Sequence, residues 1–199
     1  SKISKYKLSD HGSSSATEGT GGYNREHSIP KSWFGGSESG IGCDIFHVVP
    51  TDGKVNNVRD NDPFGEVGSA KYTYNGCKSG KSNFSGYSGT VFEPIDEYKG
   101  DIARMLFYMT TRYLLDDDGF SHEYEMTDGS QLRPWALQML LRWNVLDPVS
   151  EKEIRRNNVI YDQIQHNRNP FIDHPELADL IWTSDSLTSV FSENYVPVV

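Results

Sequence analysis

The chain has 199 residues, a formal net charge of −9 at pH 7, and four Trp, eleven Tyr and nine Phe. That length suits one domain able to bury a sizeable core, and the aromatic content excludes a disordered tail. No apolar run approaches the roughly twenty residues of a membrane-spanning helix, and the acidic balance runs against the basic footprint of a tight nucleic-acid binder.

In chain order, residues 1–22 are rich in Gly, Ser and Thr and are expected to be loose or extended, with residues 23–199 forming a single domain. Asn24-Arg25-Glu26-His27 predicts a strand that Pro30 brings to an early end. Adjacent strand residues face opposite sides, so Glu26 and His27 share a site only where the strand bends or stops. Gly35 to Gly42 is glycine-rich but lacks the Gly-Lys-Ser/Thr ending of a phosphate-cradling loop. Asp44 to Pro50 predicts a second short strand, and Thr51-Asp52-Gly53 a turn and helix cap. Asn56 then comes from a separate element across the cleft, giving the order strand, strand, helix. Residues 68–92 set Tyr72, Tyr74 and Tyr87 among Gly and Ser, predicting short strands joined by turns.

From Lys99 the spacing turns helical, with Ile102, Met105, Leu106, Met109 and Tyr113 as a core-facing stripe and Arg104 and Arg112 off it. Asp116, Asp118 and Glu125 fall in register with a calcium loop, but Leu114 stands at the first ligand position, so a solvated loop is the default. Pro134 opens a helix with Leu137, Leu140 and Leu141 as its apolar face. Ser150 and Glu153 match a capping box for a helix whose stripe is Ile154, Tyr161 and Ile164. Arg155 and Arg156 lie in its first turn, where the helix dipole disfavours positive charge and an anionic partner is expected. Asn167-Arg168-Asn169-Pro170 breaks that helix, and Pro175 opens a last one carrying Leu177, Leu180 and Ile181. The expected fold class is α+β.

The chemistry concentrates at Glu26, His27 and Asn56. A hard cation such as Mg²⁺ takes oxygen ligands and keeps several waters, so Glu26 and the Asn56 carbonyl suffice as its protein ligands. His27 carries the side chain most used as a general base near neutral pH. Together they suit a one-metal phosphodiesterase. His47, beside Phe46, suits a buried, hydrogen-bonded histidine. Asp44 either supports a neighbouring site residue from behind or caps a turn. Arg25, Arg59 and Arg168 are candidate phosphate contacts, with structural ion pairs as the alternative. Cys43 and Cys77 either form a disulfide, worth roughly 3–4 kcal/mol in the chain-entropy model, or remain two thiols. Basic residues flank these motifs, while the acids gather near Asp116 and the C-terminus, so the local field differs from the net charge.

Tyr23 to Phe34, Asp44 to His47, Pro50 to Asn56, Pro63 to Val67, and the late segments Arg155 to Asn158 and Gln165 to Glu176 resemble the endonuclease I family, in the same order, from Tyr23 to about Trp182. The resemblance implies a ββα-metal (His-Me finger) nuclease core with short antiparallel strands and a helical C-terminal half. It implies Mg²⁺-dependent cleavage of DNA and RNA with little sequence preference, giving 5′-phosphate products, with Ca²⁺ or Mn²⁺ as alternative ions. By position His27 matches the general base, and Glu26 and Asn56 the metal ligands. A monomer, secreted or periplasmic, is expected; a first residue other than Met is compatible with a removed leader. Asp60 and Asp62 depart from the pattern by placing negative charge where neutral residues are expected, and the lead-in of 22 residues is short for the family. The rival class is a secreted nuclease-fold or Ca²⁺-stabilised binding module without catalytic activity.

Overall fold

The computed structural model describes residues 6–11, 22–34, 40–114 and 124–183. Most of the segment expected to be loose, and the acidic stretch at Asp116-Asp117-Asp118, lie outside the described residues. Residues 6–11 hold a short 3₁₀ turn, Leu8–Asp10, and Tyr6 donates to the Asp52 carboxylate at 2.5 Å.

The architecture is α+β. Strands β1 (Tyr23–His27) and β2 (Val48–Asp52) pair antiparallel, with Glu26 opposite Val49 and His27 opposite Val48. Helix α1 (Gly53–Arg59) follows at once, because Asp52 caps it by accepting from Lys54 N at 2.9 Å and Val55 N at 3.2 Å. The second strand begins later than its sequence pattern predicts. Asp44 accepts from Phe46 N at 3.0 Å and winds Ile45–His47 into a 3₁₀ turn, so the extended run is shifted to 48–52.

A second sheet orders β3 (Val67–Tyr74), β4 (Cys77–Ser82) and β5 (Thr90–Glu93), all antiparallel. Its first hairpin turns on Asn75-Gly76, with φ of 49° and 94°, the pair of positive values that a tight twisted hairpin needs. Two short strands, β6 (Thr127–Asp128) and β7 (Gln131–Leu132), precede the helical half.

Helix α2 (Lys99–Arg112) is the axis of the core and is buried from Gly100 to Thr110. It packs against α3 (Pro134–Leu146), whose Trp135, Met139, Leu140, Leu141 and Trp143 are buried. A Cβ on Gly100 would meet Asp147 O at 2.0 Å, so only glycine lets the two helix ends touch. Both predicted apolar faces are buried or partly buried.

The next helices differ from expectation. In α4 (Glu151–Gln163) the capping box forms, but Ile154, Tyr161 and Ile164 are 46%, 47% and 53% exposed. The inward face carries Glu153, Asn157 and Ile160, because Arg104, Asn169 and Asp173 offer it polar partners. A short helix α5 (Pro170–Asp173) precedes α6 (Leu177–Trp182), which begins two residues after Pro175. There Ala178 and Trp182 pack inward and Leu180 and Ile181 face solvent. Cys43 is exposed and Cys77 is buried, its Sγ 2.8 Å from Tyr74 O.

Candidate active site

Strand alternation decides what β1 offers. Glu26 faces inward toward α1, where Arg59 Nη1 donates to its Oε1. His27, the last strand residue, turns the other way. Its Nε2 lies 3.1 Å from Gly42 O, and its ring meets that of His47 edge-on at 5.2 Å.

Asn56 and Arg59 stand three residues apart on α1 and so share a side of that helix. With Glu26 they line one cavity of about 400 Å³, whose walls continue into the apolar side chains of Val55, Phe64, Phe92, Ile102 and Met105. His27 is absent from that lining. The structure therefore brings Glu26 and Asn56 to one cavity and sets His27 on the opposite side of β1 from Glu26.

The donor set fits a hard divalent cation. Glu26 Oε2 and the Asn56 side chain take no hydrogen bond among the described residues, and both are oxygen donors beside a cavity. Burial raises the Glu26 carboxyl above its ordinary range, an effect that the neighbouring Arg59 charge opposes without cancelling. A cation would favour the ionised form. Among the described residues no cluster of three or more His, Cys, Asp or Glu side chains gathers round a point.

The support of the site lies in residues 41–48. His47 is fully buried, and its Nε2 lies 2.9 Å from Ile41 O. Burial, and then the neighbouring His27, lower it to about 4, so its ring is neutral at pH 7. A carbonyl only accepts, so Nε2 of each histidine donates, and the two rings clasp consecutive carbonyls, Ile41 and Gly42. Asp44 meets His47 through the backbone, its carbonyl accepting from His47 N at 3.4 Å, while its carboxylate Oδ2 accepts from Tyr108 at 2.8 Å and Tyr113 at 3.0 Å.

Sequence reasoning missed a brace from the far end of the chain. The half-buried Arg156 donates to the carbonyls of Ile45, Phe46 and Val48. Carbonyl oxygens thus take the place of the expected anionic partner. Gln165 Oε1 accepts from Ile45 N at 3.0 Å, and Asn167 donates to Tyr108 at 2.7 Å. The signal was the Arg155-Arg156 pair near a helix start; the structure begins that helix at Glu151, which puts Arg156 in its second turn behind Glu151 and Glu153.

The three candidate phosphate arginines separate cleanly. Arg25 is exposed on β1 and pairs with no carboxylate among the described residues. Arg59 is 3% exposed and bonded to Glu26. Arg168 forks Asp173 with two contacts of 2.7 Å. Asp60 is exposed beyond the end of α1, and Asp62 is raised by its own burial and by the Asp60 charge.

The class defined by this geometry is an α+β protein whose strand–strand–helix unit holds a buried carboxylate and a carboxamide at one cavity. The chain belongs to the Endonuclease I family, whose model matches residues 2–176. It is 47% identical over 167 residues to a protein of Bacillus amyloliquefaciens named "Extracellular ribonuclease", covering 81% of this chain and 54% of that one. A protein of the same name from Bacillus subtilis (strain 168) is 45% identical over 167 residues, with the same coverage. A protein of Buchnera aphidicola subsp. Baizongia pistaciae (strain Bp) named "Endonuclease-1" is 28% identical over 132 residues, covering 66% of this chain and 46% of its own. The chain spans about half the length of the curated relatives it matches.

Proposed function

We propose that this chain is a metal-dependent endonuclease that hydrolyses phosphodiester bonds of DNA and RNA with little sequence preference, leaving 5′-phosphates. The observation that carries the proposal is the placing of Glu26 and Asn56 at one cavity, where Glu26 Oε2 and the Asn56 side chain take no hydrogen bond from any described residue. Family membership and relatives named as nucleases support it.

In this reading Glu26 and Asn56 hold the cation, Mg²⁺ by preference with Mn²⁺ or Ca²⁺ as alternatives. When bound, the cation stabilises negative charge developing on the phosphate and leaving oxygen. His27 acts as general base. Its Nε2 donates to Gly42 O, so the neutral ring carries its lone pair on Nδ1, the atom that takes the proton from the attacking water. A phosphate laid across the end of β1 is then met from one side by Glu26 and Asn56 and from the other by His27. Arg25, exposed on the same strand, contacts the backbone without reading bases. The protein acts as a monomer outside the cytoplasm, in keeping with relatives named extracellular.

The test is nicking of supercoiled plasmid, and cleavage of a mixed RNA, by the wild type and His27→Ala, each with Mg²⁺ and with EDTA. Cleavage by the wild type with Mg²⁺, a loss of about 10²–10⁴-fold in His27→Ala and silence in EDTA are expected. Undiminished cleavage by folded His27→Ala removes the assigned base, and undiminished cleavage in EDTA removes the metal.

A further inference from the structure

Arg59 was a phosphate-contact candidate from sequence, yet four of the five N–H groups of its guanidinium are taken by the frame of the site. Nη1 donates to Glu26 Oε1 and, at 2.8 Å, to His27 O. Nη2 donates to Ser28 O at 2.9 Å and Nε to Asp62 O at 3.0 Å. One face of the group lies over the Phe64 ring, 4.5 Å from its centroid, and the residue is 3% exposed. One Nη2 N–H remains, too few for the two-donor fork by which an arginine grips a phosphate.

We propose that Arg59 is a positioning residue for the cation site. By binding one oxygen of Glu26 it holds the carboxylate in a single orientation and leaves Oε2 as the oxygen for the metal. By binding the carbonyls of His27 and Ser28 it fixes where β1 ends, and hence where the general base leaves the strand. Its place on α1, three residues beyond Asn56, couples the two ligands through one short helix. Lysine cannot substitute, because three donors on one nitrogen do not span acceptors that a planar fork reaches together. The inference rests on the reading of Glu26 as a cation ligand.

The experiment measures Mn²⁺ binding without substrate, by electron paramagnetic resonance of the free ion, to the wild type, Glu26→Gln and Arg59→Lys. Thermal melts confirm that each is folded at the assay temperature. Arg59→Lys keeps the positive charge beside Glu26, so it is the variant that isolates the fork. Weakening of Mn²⁺ binding by tenfold or more is expected in both variants, with kcat on plasmid reduced and KM little changed in Arg59→Lys. Wild-type Mn²⁺ affinity in Glu26→Gln overturns the ligand reading itself. Loss in Glu26→Gln alongside unchanged or tighter binding in Arg59→Lys overturns the positioning role only. A raised KM with kcat and Mn²⁺ affinity intact in Arg59→Lys makes Arg59 a phosphate contact instead.

Discussion

Among the described residues two arginine–glutamate pairs are buried, one in the helical half and one in the strand–strand–helix unit, and they are built differently. Arg104, fully buried, forks Glu153 at 2.7 and 2.9 Å and reaches Asn144 and Asp147 O at 3.0 Å each. Glu153 Oε2 also receives Ser150 N at 2.8 Å. Burial alone would raise the Glu153 carboxyl, but the Arg104 bond and charge outweigh it and the group lies below its ordinary range. In the Arg59–Glu26 pair one carboxylate oxygen is used, and burial wins over Arg59. The same two residue types, at comparable depth, thus form a saturated joint between helices in one place and an unsaturated one at the cavity in the other. Saturation, rather than burial, separates the two pairs.

The sharpest test of that contrast is paired substitution. Glu153→Gln should cost about 3–5 kcal/mol, the range for breaking a buried pair. Glu26→Gln should cost about 1.5–3 kcal/mol, since one charge-assisted bond is lost. Urea denaturation at pH 7 compares the two, and equal losses break the contrast. The acid responses should also have opposite signs. Glu153 contributes stability above about pH 4.5 that is lost as pH falls through its lower folded value. Glu26 favours the protonated form when folded, so its contribution declines as pH rises through its raised value.

A second effect, of similar size, falls on His47. Its folded value of about 4, against 6.5, means that the unfolded chain binds the extra proton. Stability from this group is full above about 6.5 and about 3 kcal/mol smaller near pH 4. Asp101, raised to about 6 by burial and then by Glu153, acts in the opposite sense over part of the same window. The difference between wild type and His47→Gln across pH 4–7 isolates the histidine; a flat difference excludes a neutral buried ring. Ser150→Ala, which removes the cap of α4 and a partner of Glu153, should cost about 1 kcal/mol. The smallest change is expected for exposed Arg25→Ala: unaltered melting, a modestly raised KM and a salt slope reduced by about one.

Local rules were legible in the sequence where one residue settles the matter. Asp52 caps α1, Pro134 opens α3 and Ser150 pairs with Glu153, all by contacts within a few residues. The α2 stripe was equally plain, because that helix is surrounded by apolar side chains. What failed depended on distant partners. Arg104 sat off the stripe yet is fully buried, since Glu153 lies 49 residues away. The α4 stripe pointed outward for the same reason. At the site, alternation along β1 was readable, and the structure shows its result: Glu26 and His27 on opposite sides. Nothing local to Arg59 announced that it binds the end of β1 rather than standing free.

The brace on residues 41–48 has a consequence for how the protein is made. Ile45 N is held by Gln165, the carbonyls of Ile45 and Val48 by Arg156, and Asp44 by Tyr108, which Asn167 anchors in turn. The strand that carries Glu26 and His27 is synthesised well before the residues that brace the shelf beside it, which stays unbraced until about residue 167 has followed. A chain interrupted before that point carries Glu26, His27 and Asn56 without the brace behind β2, so the arrangement of these three side chains waits on residues more than a hundred positions further on.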